Sequence, residues 1–175
     1  MTTAAPPFQR FLLEHRDAVL RLLVGMVGPA DAEDCFQESF LKALRGWPPA
    51  DLDGRLDSWM LTIAHRTALG HLRRRGVTDI ALDDAGELDA HAEPDEVGAG
   101  LLGLWAKTPA GLWAAVGGLP VRQRTAVVLR TVLDQSHAQV AALLECNEAA
   151  ARRSYADGLA ALRARIADGT LEVTR

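Results

Sequence analysis

Residues 76–100, with the sequence GVTDIALDDAGELDAHAEPDEVGAG, interrupt the pattern of the rest of the chain. They include eight acidic side chains, no lysine or arginine, a proline, and glycine at each end. They show no sustained repeat at the spacing of a helix or a strand, which is typical of a connecting segment. We therefore expect a flexible acidic linker over residues 76–110, between one module at residues 1–75 and another at residues 111–175.

Apolar residues on both sides of this linker recur every three or four positions, which is the spacing of one buried face of an α-helix. In the first module the pattern begins at Phe8, stops at Gly28-Pro29, and resumes over residues 31–45. A third helix is expected from about Asp57 to the arginines that precede the linker, and its predicted inner face consists of Leu61, Ala64, Ala68 and Leu72. Apolar residues make up 49% of the chain, which excludes global disorder. The sequence thus predicts an all-α fold made of two small helical modules.

The second module carries the signals of a helix-turn-helix. Pro120 suits the first turn of a helix. Ser136 and Gln139 have the spacing of a capping box and open a short helix. Asn147 then suits the N-cap of a long helix over residues 148–166. A short helix, a tight turn and a longer helix form the arrangement that many DNA-binding proteins use.

The second helix of the first module lies in the string DAEDCFQESFLKALRGW, residues 31–47, and is apolar on one side and acidic on the other. Its predicted inner face consists of Ala32, Cys35, Phe36, Ser39, Phe40 and Ala43. The acids could form a solvated face, a pair of catalytic carboxylates or a docking surface for a partner. Composition alone favours the solvated face, because acids near the start of a helix interact favourably with its dipole.

Several classes of function lack the residues that they would need. No glutamate is followed three residues later by histidine, and the sequence has neither a phosphate-binding loop nor a nucleophile elbow. The two cysteines, Cys35 and Cys146, are far apart and form no metal-binding pair. We therefore expect no catalytic residue, no metal, no cofactor and no enzymatic activity.

The hydrophobicity of the chain argues against membrane insertion. No run of about 18 or more apolar residues occurs, as a membrane-spanning helix would require. The first ten residues, MTTAAPPFQR, lack the basic start and apolar stretch of a signal peptide. We expect a cytoplasmic location.

Three strings together resemble a known family. The string DAEDCFQESFLKAL, the later helix SWMLTIAHRTALGHLRRR, and the pair LPVRQRTAVVLR and QVAALL beyond the acidic linker are similar to extracytoplasmic-function sigma factors of bacterial RNA polymerase. The resemblance covers roughly residues 8–75 and 112–166. It implies that residues 1–75 are sigma region 2 and residues 111–175 are sigma region 4. The implied function is a transcription initiation factor that directs core RNA polymerase to −35 and −10 promoter elements and aids promoter melting.

The resemblance also implies a role for individual residues. The expected polymerase-binding residues are Asp31, Asp34, Gln37, Glu38 and Leu41. The expected −10 DNA-binding residues, which follow the loop 47–57, are Trp59, Thr62, Arg66, His71, Arg73, Arg74 and Arg75. The expected −35 DNA-binding residues are Arg122, Arg124, Glu148, Arg152 and Arg153. For Trp59, a role in holding the fold is favoured over a base contact.

The implied partners are core RNA polymerase, promoter DNA and an anti-sigma factor clamped between the two modules. The linker acids over residues 83–96 are expected either to form a solvated tether or to occupy a basic channel of the polymerase.

Some positions depart from the family pattern. Arg66 and Gly70 stand where asparagine and aspartate are common, Glu145 stands where the turn usually has glycine, and Asp157-Gly158 replace the usual Arg-Ala. These departures keep two alternatives open. One is a degenerate sigma-like regulatory protein that binds polymerase or an anti-sigma partner without initiating transcription. The other is an unrelated helix-turn-helix DNA-binding regulator.

Overall fold

The computed structural model describes residues 7–49, 56–77 and 110–169. In this part of the chain the secondary structure is helical, with no strand, as predicted. The helices are α1 (Phe8–Val27), α2 (Pro29–Arg45), α3 (Leu56–Arg74), α4 (Ala110–Gly117), α5 (Val121–Thr131), α6 (His137–Leu143) and α7 (Glu148–Ala167). Most of the predicted linker and part of the predicted promoter-reading loop lie outside the described residues. Helix α4 was not predicted by the sequence.

The first three helices pack into one bundle, in which α2 and α3 bury the faces that were predicted. On α2 all the predicted inner residues are buried except Phe36, which is half-buried. On α3 the buried side chains include Leu61, Ala64, Ala68 and Leu72. The turn between α1 and α2 depends on Gly28, because its φ of 86° lies in the left-handed region that favours glycine. Pro29 is the first residue of α2, so this helix begins two residues earlier than predicted.

The last three helices form the predicted helix-turn-helix. The Ser136 hydroxyl accepts from the Gln139 amide at 3.2 Å, and the Gln139 side chain accepts from the Ser136 amide at 2.7 Å. The Asn147 side chain accepts from the amide of Ala150 at 2.8 Å and caps α7. The capping box and the N-cap are therefore confirmed. Pro120 lies one residue before the first turn of α5, where it is the cap residue rather than a member of that turn.

Close approach of α5 and α7 depends on Gly158. A Cβ atom at this position would lie 2.7 Å from a methyl group of Val127 and 3.3 Å from the carbonyl oxygen of Gln123. A glycine that sequence reasoning treats as a weak helix former is thus the residue that lets these two helices touch.

The two modules pack directly against each other. Helix α1 contacts α4 and α5, and α3 contacts α6. At the centre of this contact is Gly25, where a Cβ atom would lie 2.5 Å from the side chain of Val128. The interface is continuous with the cores of both modules. Sequence analysis predicted the two modules but not their docking.

Candidate functional site

The five residues expected to bind polymerase fall at positions 31, 34, 37, 38 and 41, which a helix of 3.6 residues per turn brings to one side of α2. Asp34 and Leu41 are exposed, and the leucine side chain keeps 37% of its accessible surface. Asp31, Gln37 and Glu38 are half-buried. The surface therefore combines carboxylates with an accessible apolar side chain on one rigid element.

The C-terminal end of α3 lies against this acidic surface. Arg75 pairs with Asp31, and His71 Nε2 lies 3.3 Å from Asp31 Oδ2. Arg74 lies 3.4 Å from the Glu38 carboxylate. Side chains expected to bind DNA are thus paired with side chains expected to bind polymerase. The sequence predicted two separate surfaces. In the fold these surfaces are adjacent, and their opposite charges partly neutralise each other.

The remaining expected −10 residues lie at the start, on the outer side and in the last turn of α3. The Thr62 hydroxyl donates to the carbonyl oxygen of Ser58 at 2.7 Å, and Arg73 is half-buried. Arg66 is exposed and lies 3.2 Å from the Glu145 carboxylate of the second module. These side chains form a polar face that follows the loop 47–57 along the chain.

Trp59 belongs to an aromatic cluster that holds both ends of that loop. Its ring centroid lies 5.8 Å from that of Phe11 and 6.2 Å from that of Trp47. Trp47 in turn lies 4.6 Å from Phe11 and 5.5 Å from Phe8. Trp59 is half-buried among these rings, an environment that favours the structural role expected for it.

A histidine that the sequence did not single out ties α1 to the start of α3. His15 is buried, and its Nε2 lies 2.5 Å from Asp57 Oδ1. Its Nδ1 lies 2.8 Å from the carbonyl oxygen of Phe11. Each ring nitrogen therefore lies within hydrogen-bonding distance of an oxygen atom of another residue. No local signal in the sequence indicated a partner 42 residues away.

The start of α7 presents the side chains expected at the −35 element. Glu148, Arg152 and Arg153 are exposed in the first two turns of this helix. Arg152 pairs with Glu148 and is the main reason why the pKa of that carboxyl lies below its usual value. Arg153 extends from the same end of the helix, where recognition helices contact base edges.

The two arginines expected to touch phosphates from α5 have different environments. Arg122 is exposed and donates to the carbonyl oxygen of Leu144 at 3.0 Å. Arg124 keeps 5% of its accessible surface, and burial lowers its pKa. It donates to the carbonyl oxygens of Met26 at 2.6 Å, Leu119 at 3.3 Å and Gly117. In this arrangement Arg124 joins the two modules and cannot reach DNA. The phosphate contact expected for it would require the modules to be apart, and it stays a prediction.

Two further observations bear on chemistry. Burial raises the pKa of the Cys35 thiol to about 12, with Glu38 the next contribution, so this cysteine is a poor nucleophile at neutral pH. Within residues 7–49, 56–77 and 110–169, no three metal-binding side chains come together. In the same ranges, no helix is long and apolar enough to cross a membrane.

Comparisons with known sequences match each of the two modules to a protein family. Residues 11–78 match the family described as Sigma-70 region 2, and residues 110–162 match the family described as Sigma-70, region 4. The chain is 30% identical to the RNA polymerase sigma-H factor of Pseudomonas aeruginosa over 145 residues, which cover 79% of this chain and 75% of that protein. It is 33% identical to the ECF RNA polymerase sigma factor BldN of Streptomyces coelicolor over 152 residues, which cover 83% of this chain and 55% of that protein.

A solved structure has a similar fold. It is the sigma factor RpoE in complex with the anti-sigma factor NepR, from Bartonella quintana. The TM-score is 0.67 at 17% sequence identity, over 91% of this chain and 96% of the other.

Proposed function

The chain belongs to the sigma-70 family, in its extracytoplasmic-function group, and we propose which of its described surfaces carry out the function of that family. As a sigma factor it is a transcription initiation factor, which binds core RNA polymerase and directs it to promoter DNA. It is a promoter-specificity subunit rather than an enzyme. The matches to both regions in one chain give no support to a degenerate regulator or to an unrelated helix-turn-helix protein.

The acidic side of α2 is the proposed docking surface for core polymerase. Asp34 and Leu41 are its accessible members, and Asp31 and Glu38 lie beside them with basic partners at the end of α3 and directly after it. Carboxylates fixed on a rigid helix suit arginine side chains of a partner, since guanidinium groups bind carboxylates in a bidentate manner. Gln37 adds a polar group to the same surface.

Promoter DNA is the proposed ligand of two other surfaces. The outer side of α3, with Thr62 and Arg66, and the basic end with Arg73 are assigned to the −10 element. The start of α7, with Arg153 and the Glu148–Arg152 pair, is assigned to the −35 element, because the N-terminal residues of such a helix enter the major groove.

The domain division is part of the same proposal. Residues 1–75 form region 2, residues 76–110 the acidic linker, and residues 111–175 region 4. The chain acts with polymerase in the cytoplasm. An anti-sigma factor is its proposed negative regulator, and the similar solved structure of a sigma factor with such a partner supports this.

Separation-of-function variants test the assignment of surfaces. Replacing Asp34 with arginine should weaken binding to purified core polymerase at least tenfold, because it puts like charges together at the docking surface. Replacing Arg153 with alanine should leave core binding unchanged and weaken binding of the holoenzyme to a −35 duplex by roughly 5-fold to 100-fold. Arg163→Ala, an exposed change farther along α7, is the matched control and should alter neither.

Core binding can be measured by fluorescence anisotropy and duplex binding by gel shift at a fixed salt concentration. If Asp34→Arg bound core normally, or if Arg163→Ala weakened duplex binding as much as Arg153→Ala, the proposed surfaces would be wrong.

A further inference from the structure

The start of α3 is joined to α1 by a contact that none of the expected site residues makes. Asp57 is the second residue of α3 and ends the loop 47–57, which leads to the expected −10 side chains. Its Oδ1 atom lies 2.5 Å from Nε2 of His15. The same carboxylate belongs to the first turn of α3, where the helix dipole favours a negative group. Asp57 therefore links the orientation of this turn to α1.

Both ends of that loop contact neighbouring rings of α1. The ring centroid of His15 lies 4.2 Å from that of Phe11, which is one helical turn earlier. The Phe11 ring in turn lies 4.6 Å from Trp47, where the loop begins, and 5.8 Å from Trp59, two residues after the loop ends. His15 and Phe11 thus form one support on α1 for both ends of the loop.

The burial of His15 indicates that its contacts fix an orientation rather than add stability. Its side chain keeps 11% of its accessible surface, and Nδ1 lies 2.8 Å from the carbonyl oxygen of Phe11. A buried polar group costs free energy unless it is paired, and a paired one often adds little stability over an apolar side chain of similar size. Hydrogen bonds are directional, however, so the contact with Asp57 restricts how α3 lies against α1.

The orientation of the first turn of α3 decides where the −10 side chains lie. Ser58 follows Asp57, and its carbonyl oxygen accepts from the Thr62 hydroxyl at 2.7 Å. Thr62 and Arg66 are four residues apart on one side of the helix, so a rotation of the first turn would move both relative to Trp47. A surface that is fixed before binding gives a higher affinity, because the apparent dissociation constant rises when only a fraction of the molecules has the competent geometry.

We propose that His15 is a positioning residue for recognition of the −10 strand, and that it acts through Asp57 by keeping the first turn of α3 in a fixed place relative to Trp47. His15 is buried and contacts no DNA itself. The inference rests on the proposed function, because it takes the outer side of α3 as the −10 surface. Both partners belong to the first module, so the contact does not depend on the second module.

The test measures how tightly the full chain, bound to core polymerase, holds a single-stranded −10 oligonucleotide. The fluorescent oligonucleotide carries the −10 sequence of a promoter that this protein and polymerase occupy jointly, and binding is followed by anisotropy. His15→Leu keeps the apolar bulk of the side chain but removes both ring nitrogens. It should raise the dissociation constant for the strand about threefold to tenfold, in line with the net contribution of one hydrogen bond.

A second variant reaches the same contact from its exposed side. The Asp57 side chain keeps 83% of its accessible surface, so Asp57→Ala should leave the core of the module intact and weaken strand binding by a similar factor. The double variant should bind the strand as weakly as either single variant, because both changes remove the same contact. His15→Gln should restore most of the affinity, since its amide nitrogen can donate to Asp57 from nearly the place of Nε2.

Asp17→Ala is the matched control, because it also removes one carboxylate from the first module. Asp17 lies on α1, and its Oδ1 atom is 3.2 Å from Nε of Arg16. This change should leave strand binding unaltered. Circular dichroism and urea unfolding verify that each variant is folded, and affinities for core polymerase and for a −35 duplex should match wild type in all of them.

The outcomes separate this inference from the proposed function. Equal strand affinities for wild type, His15→Leu and Asp57→Ala would overturn the inference and leave the proposed function standing. A parallel loss of affinity for core polymerase, the −35 duplex and the −10 strand would also overturn it, because a general defect of the fold would then explain the result. Wild-type holoenzyme that failed to bind the strand at all would overturn the proposed −10 surface and the inference with it.

Discussion

At the scale of single residues, burial decides which ionisable groups can carry charge. His65 sits inside the interface between the modules, 3.2 Å from the Thr125 hydroxyl. Burial, and next the positive charge of Arg66, lower its pKa from 6.5 to about 4. The imidazole is therefore neutral in the folded protein at physiological pH, and it contributes a hydrogen bond rather than a charge.

This shift predicts a pH dependence with a definite sign. Between about pH 6.5 and 4 the unfolded chain protonates His65 while the folded protein does not, so stability is complete above pH 6.5 and is lost as the pH falls towards 4. From pH 7 to 5, wild type should lose on the order of 1–2 kcal/mol more unfolding free energy than His65→Gln. Urea unfolding of both proteins at the two pH values measures this. The same pH slope in both would contradict the assignment.

At the scale of helices, local sequence signals predicted where several helices begin or end. Gly28-Pro29, the capping box at Ser136 and the N-cap Asn147 each act within about four residues, and the structure confirms all three. Helical spacing also predicted the buried faces of α2 and α3. Contacts between distant helices left no such signal.

Gly158 illustrates the limit of local reasoning. Helix propensity alone predicts that Gly158→Ala would stabilise α7 by up to about 1 kcal/mol. The fold reverses this sign, because the added methyl group would meet Val127 and the backbone of Gln123. We expect a loss of about 1–3 kcal/mol, the usual effect of overpacking. Gly70→Ala, with space around it, should be neutral or slightly stabilising, and thermal unfolding of the two variants compares them directly. A stabilised Gly158→Ala would show that α5 and α7 are farther apart.

At the scale of the whole molecule, the helical structure of each module could be predicted from the sequence, but the contact between the two modules could not. The Arg66–Glu145 pair joins residues 79 positions apart, and Arg124 reaches Met26 across 98 positions. Nothing near either residue in sequence identifies the partner. The resemblance to sigma factors implied that Arg124 contacts DNA, which requires the two modules to be apart. The structure shows the modules packed against each other, with Arg124 buried between them.

The charge that each surface presents also depends on contacts between distant helices. The acidic face of α2 is half covered by the basic end of α3, through Asp31 with Arg75 and Glu38 with Arg74. A polymerase that binds the acids would release these arginines for DNA. Core binding and DNA binding should therefore reinforce each other, since the same ionic contacts oppose both in the free chain.

Runoff transcription tests the central claim most directly. Genomic sites occupied jointly by this protein and polymerase would be mapped first, and templates carrying the shared −35 and −10 sequences would then be transcribed with purified core polymerase. We predict that adding the protein yields a transcript of defined start, that Asp34→Arg abolishes it through loss of core binding, and that Arg163→Ala leaves it intact. Normal core binding without a transcript from any of these templates would contradict the account.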